Sequence, residues 1–99
     1  MVKHIILWKL KDFTEDERAD IMQGAKTALE ALNGKIPGLI SISLRTECLG
    51  SSNSDMMLVS VFDDEESLKN YQTHPLHTAA ANTYVRPFTA ERLCMDFKE

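Results

Sequence analysis

The sequence predicts one α+β domain over residues 1–99, a four-stranded antiparallel sheet with helices on one face in the order β-α-β-β-α-(α)-β. Three observations predict it. Four short segments are rich in β-branched, aromatic and other apolar residues, and between the first two lies a capped stretch whose apolar residues recur every three to four positions. A cluster of turn-forming residues joins the second and third segments, which marks them as antiparallel neighbours. With 99 residues, 43% hydrophobic and 26% charged, there is room for one core and no composition favouring disorder.

The first strand spans Lys3 to Leu10. His4, Ile6, Trp8 and Leu10 point to one side and Ile5, Leu7 and Lys9 to the other, so both faces carry large side chains. Thr14 opens the first helix through a Thr-x-x-Glu capping box with Glu17, and Glu15 and Asp16 set negative charge against the positive end of the helix dipole. Met22, Ala25, Leu29 and Leu32, widened by Ile21 and Ala28, form its apolar stripe. Asn33-Gly34 offers a left-handed cap, and Pro37-Gly38 stops the helix from resuming.

From Leu39 to Glu47, apolar positions 40, 42 and 44 alternate with Ser41, Ser43 and Arg45, a strand with one buried face. The turn cluster Gly50-Ser51-Ser52-Asn53-Ser54 follows. Met56 to Phe62 is apolar on both faces apart from Ser60, the pattern of a central strand. Asp63 to Glu66 is an acidic start to a second helix in which Leu68 and Tyr71 share a face. His74-Pro75 ends that helix, because the residue before proline is driven out of the helical region, and Pro75 begins a new helix that Arg86-Pro87 ends. In the last strand, Thr89 to Phe97, Leu93, Met95 and Phe97 alternate with Arg92, Cys94 and Asp96.

This order is the ferredoxin-like split βαβ arrangement. Helices on one side leave the other side of the sheet bare, yet the strands at 4–10 and 56–62 are apolar on both sides. An uncovered patch of several hundred Å² is rare on a lone subunit. At ~25 cal/mol per Å², its burial contributes on the order of 10 kcal/mol before association costs. The expected partner is a second copy, sheet against sheet, with two-fold symmetry.

Fifteen acidic against eleven basic residues leave a net charge of −4, with the Lys and Arg scattered, so a nucleic-acid footprint is disfavoured. The longest apolar run, Ile5 to Trp8, is too short for a membrane span or a signal peptide, and a cytoplasmic protein is expected. Cys48 and Cys94 lack metal-site spacing and are read as small core or strand residues. The acidic run Asp63 to Glu66 lacks the alternating ligands and glycine of a calcium loop. No serine-nucleophile elbow or phosphate-cradling glycine loop occurs.

The chemistry-bearing residues are His4 on the first strand, Tyr71 on the second helix, and His74 and His77 around the helix break. Tyr84, seven residues after His77, shares its face with Ala80 and Ala81, whose small side chains leave space beside an imidazole. If His4 points to the helical side of the sheet along with Ile6 and Trp8, a pocket beneath the helices brings two imidazoles and a phenol together in apolar surroundings. Imidazole takes protons near neutral pH, and a phenol donates to a developing enolate oxygen, a set suited to cyclisation, lysis or isomerisation. The bland alternative is that the same groups complete a packed core. A His74-x-x-His77 metal site with His4 as third ligand is a further alternative, opposed by the distortion at Pro75; no metal and no cofactor are expected.

The opening His4-Ile5-Ile6-Leu7-Trp8-Lys9-Leu10-Lys11-Asp12, the Ile36-Pro37-Gly38 turn and the run Phe62-x8-Tyr71-x2-His74-Pro75-x-His77 resemble the stress-responsive dimeric α/β barrel (Dabb) family over nearly the whole chain. The resemblance implies a ferredoxin-like protomer and a homodimer whose two sheets form a barrel. The family includes plant stress proteins and the polyketide cyclase that makes olivetolic acid. Carried over by motif, the cyclase's base corresponds to His77, its assisting tyrosine to Tyr71 and its first-strand histidine to His4. Trp8, His74, Ala81 and Tyr84 are then expected to contact a small hydrophobic or phenolic ligand. Two alternatives accompany this reading: a non-catalytic structural or ligand-binding protein, and a cofactor-free monooxygenase of the related dimeric fold, with Trp8, Met56 and Met57 around its pocket.

Overall fold

The computed structural model describes residues 1–99. Its elements are β1 (Val2–Leu10), α1 (Glu15–Glu30), β2 (Leu39–Arg45), β3 (Met56–Phe62), α2 (Glu65–Thr73), α3 (Pro75–Tyr84), a single 3₁₀ turn (Arg86–Phe88) and β4 (Thr89–Lys98). The strands run in the order β2-β3-β1-β4, every neighbour antiparallel, with the helices on one face: the predicted ferredoxin-like arrangement. No helix is long and apolar enough to cross a membrane.

Local chemistry sets the boundaries. Thr14 and Glu17 close the capping box, each accepting from the other's backbone N–H at 2.9 and 3.2 Å. After α1, the Asn33 side chain donates to the Ile42 carbonyl and accepts from its N–H, extending the hydrogen bonding at the outer edge of β2. Gly34 has φ +78°, so the glycine takes the left-handed turn. Gly38 has φ +80°, and a Cβ there would lie 2.1 Å from Ser67 Oγ, so both conformation and space require glycine. Asp64 caps α2 through Ser67 N at 2.8 Å.

Two details differ from the sequence pattern. The register of β2 against β3 shifts between Leu39 and Ser41; this irregularity puts Leu39 in the core and leaves Ile40 exposed, so the inward set is 39, 42 and 44. β2 ends at Arg45, the last residue paired with β3, and Cys48 therefore lies outside any strand. Both cysteines are exposed and free, Cys94 because β4 is an edge strand that the helices do not cover.

The core lies between the helices and the inward residues of β1 and β3, including Ile6, Trp8, Leu58 and Phe62, with Leu29 of α1 and Leu68 of α2. Ser60 is buried and donates to the His4 carbonyl at 3.3 Å. The opposite face has no helix. Leu7 sits between Met57 and Leu93, and Ile5 between Val59 and Met95, so cross-strand pairing gathers apolar side chains into one stripe. Leu93, Met95 and Phe97 are 70, 67 and 40% exposed in the single chain.

Candidate functional site

β1 and β4 pair His4 with Asp96, Ile6 with Cys94 and Trp8 with Arg92, which puts all six on the helix-facing side. The α2–α3 break lies above them. There a cavity of about 230 Å³ opens, floored by Ile6, Trp8, Leu29 and Leu58 and walled by His4, Tyr71, His77, Ala81 and Val85; Gln72, Arg86, Thr89 and Arg92 complete it. A dry cavity of roughly 150 Å³ suffices for benzene, so this one takes a substituted single ring. Larger grooves, between α2 and β4 and on the bare sheet face, are more open to solvent.

Tyr71 occupies the centre. Its ring lies 4.2 Å from that of His77, 5.0 Å from Phe62 and 6.3 Å from His4. The residue is fully buried, its hydroxyl has no hydrogen-bond partner, and burial raises its pKa well above the usual phenol value. The hydroxyl therefore stays protonated and available as a donor.

His77 Nδ1 is 3.3 Å from the Gln72 carbonyl. A carbonyl only accepts, so Nδ1 carries the proton and Nε2 is left as the base. Burial holds the His77 pKa below its ordinary value; the Gln72 contact opposes this, and the charges of Arg86, His4 and Arg92 reinforce it. Nearly completely buried, His4 donates Nδ1–H to the Asp96 carboxylate, which orients the ring.

The lowered His77 pKa has a measurable consequence for folding. Below about pH 6.5 the unfolded chain binds more protons at this residue than the folded one, so the contribution is complete above that value and is lost as pH falls through the folded pKa. Glu17, Glu30 and Asp64, whose pKa values are also lowered, add loss of the same sign at more acid pH, below ordinary values of 4.5, 4.5 and 3.8. Urea midpoints for the wild type are expected to fall between about pH 7 and 5, with a shallower slope for His77→Gln.

Of the residues expected at the site, the structure brings together His4, Trp8, Tyr71, His77 and Ala81. It does not bring His74 or Tyr84 to the cavity. His74 takes an extended conformation before Pro75, and its Nδ1 accepts from Leu76 N at 3.1 Å, capping α3. Tyr84 lies at the far end of α3, over α1, where a Cβ on Gly24 would be 3.3 Å from its ring, and it remains partly exposed. The His4, His74 and His77 metal set is therefore not assembled. Three potential ligand atoms do lie within 4.8 Å of one another on His4, Cys94 and Asp96, although hydrogen bonding between His4 and Asp96 already satisfies two of the groups.

Sequence reasoning missed Arg86, Arg92, Gln72 and Asp96. Alternation in the last strand put Arg92 and Asp96 on one face, but their arrival beside Trp8 and His4 depends on the β1–β4 register.

A solved dimeric protein of unknown function from Bacteroides fragilis is 33% identical, with 99% of this chain and 95% of that one covered at a TM-score of 0.92. A dimeric ferredoxin-like protein from Thermobifida fusca is 29% identical, covering 97% and 88% at 0.81. An uncharacterised protein of Streptomyces coelicolor is 31% identical over 84 residues, 80% of this chain and 81% of that one. The Dabb family profile, Stress responsive A/B Barrel Domain, matches residues 2–99, and the chain belongs to that family.

Proposed function

We propose that the chain acts as a cytoplasmic homodimer, closed sheet against sheet, in which each protomer uses its cavity to bind or transform a small carbonyl-bearing or phenolic molecule by cofactor-independent acid–base chemistry. His77 takes a proton through Nε2. Tyr71 donates to the oxygen on which negative charge develops, and His4, oriented by Asp96, supplies a second imidazole. Cyclisation, lysis and isomerisation all draw on that set.

One observation carries the reading: the Tyr71 ring packs near the imidazoles of His4 and His77, and its buried hydroxyl has no protein partner. An unmade hydrogen bond there costs about 1–3 kcal/mol, a penalty that a ligand oxygen relieves. The dimer is supported by the apolar stripe on the bare face and by the dimeric state of the solved relatives.

The test is a thermal-shift screen of single-ring carbonyl and phenolic compounds against wild type and His77→Ala. A ligand present at about 100 times its Kd adds ~2.7 kcal/mol, on the order of 10 °C in Tm for a chain of this size. The expected result is a wild-type shift that His77→Ala loses while its baseline Tm stays within a few degrees. If no compound shifts the wild type and His77→Ala drops the baseline steeply, these residues serve the core instead.

A further inference from the structure

The charge distribution around the cavity goes further than its acid–base groups. The chain carries a net charge of −4, yet no Asp or Glu lines the cavity, and two of the four arginines, Arg86 and Arg92, do. They arrive from different elements: Arg86 opens the 3₁₀ turn after α3, and Arg92 lies on β4 opposite Trp8. Neither pairs with a carboxylate. The ion pairs in the chain are Lys3–Glu99, Arg18–Asp55, Lys26–Glu30 and Lys98–Glu65, His4 is hydrogen-bonded to Asp96, and the Arg86 side chain donates to the neutral Asn82 amide oxygen. Asp96, the carboxylate closest to the imidazoles, is engaged by His4 and borders the separate groove between α2 and β4.

Two guanidinium groups without a counter-charge therefore stand at the mouth of an apolar recess. Guanidinium recognises carboxylate through parallel N–H donors, and an anion between two such groups also relieves their mutual repulsion. We propose that the cavity selects a single-ring molecule bearing a carboxylate, its ring on the floor of Ile6, Trp8 and Leu58 and its carboxylate against Arg92 and Arg86. The inference rests on the cavity being a ligand site, as argued above, and adds the chemical class of the ligand. It also orients that ligand: with the anion at the mouth, the ring carbons and their other substituents face Tyr71 and His77.

The experiment compares phenylacetate with its neutral counterpart phenylacetamide, titrated into ¹⁵N-labelled full-length protein and followed at the amides of Ala81, Val85 and Thr89. Phenylacetate is expected to bind on the order of tenfold more tightly than the amide. That preference should shrink at about 0.5 M salt and fall to near unity in Arg92→Gln, while Arg92→Lys keeps part of it. Equal affinity for acid and amide, or a preference that Arg92→Gln leaves unchanged, overturns the carboxylate assignment and leaves the cavity reading standing. If neither probe perturbs those amides, the cavity reading fails and the carboxylate assignment falls with it.

Discussion

Tyr71→Phe is expected to leave the chain folded and at least as stable as wild type while reducing turnover of the compound found by the screen by about 10²- to 10³-fold, the usual effect of losing one donor to a developing oxyanion. The phenylalanine ring keeps the contacts with Phe62, His77 and His4. What it removes is a buried hydroxyl without a partner, so denaturation should show a gain of up to about 1 kcal/mol. In most cores, deleting a tyrosine hydroxyl breaks a hydrogen bond and destabilises. The opposite sign here, together with lost turnover, is the signature of a group held unsatisfied for a ligand. A stability loss above about 1 kcal/mol would mean that the hydroxyl has a structural partner after all.

Leu93→Lys is expected to separate the two subunits. Leu93 is 70% exposed in the single chain, so the substitution changes the stability of the isolated protomer by no more than about 0.5 kcal/mol. In a two-fold pair closed over this face, the same lysine is buried twice, once from each copy, among Leu7, Met57 and their partner equivalents. Burying unpaired charges costs several kcal/mol, a weakening of the dimer by about 10³-fold or more. Size-exclusion chromatography at micromolar concentration should show wild type at twice the 11.2 kDa chain mass and Leu93→Lys as a folded monomer. Leu76→Lys is the control: Leu76 is also a large exposed apolar residue, but it lies on α3 in the helical layer, and its variant should remain dimeric. Dissociation of both variants, or of neither, would remove the bare sheet face as the interface.

The backbone of this protein was legible because each boundary has a local cause. The Thr14–Glu17 box, the left-handed turn at Gly34, the acidic cap at Asp64 and the proline after His74 act within a few residues of themselves. Period-two alternation likewise sorted the residues of β1 into its two faces, because a central strand paired on both sides keeps a regular register until the shift at its end, whereas which face the helices cover is decided by packing. It failed at Ile40, where an irregularity in an edge strand exchanges the inward position for Leu39, a decision made by pairing with β3 that composition does not reveal.

The site was legible only in part, for a related reason. His4, Tyr71 and His77 stood out by residue type, but the packing of the helices on the sheet decides that they face one cavity. Seven residues of helix correctly relate the angular positions of His77 and Tyr84 but not their distance along the axis, and two turns carry Tyr84 past the cavity and onto α1. His74 was drawn to the site by its neighbours in the motif, whereas the proline that follows sets its backbone for capping. Arg86, Arg92 and Asp96 are tertiary facts: they reach the imidazoles across the β1–β4 ladder and the 3₁₀ turn, from more than eighty residues away in sequence from His4.

The most direct measurement is a crystal structure of the protein with the best compound from the screen. It should place a ligand oxygen within about 3 Å of both the Tyr71 hydroxyl and His77 Nε2, with the ring against Trp8. A ligand seated instead in the groove between α2 and β4 or on the sheet face, with the Tyr71 hydroxyl still unpartnered, would contradict the assignment of this cavity as the working site.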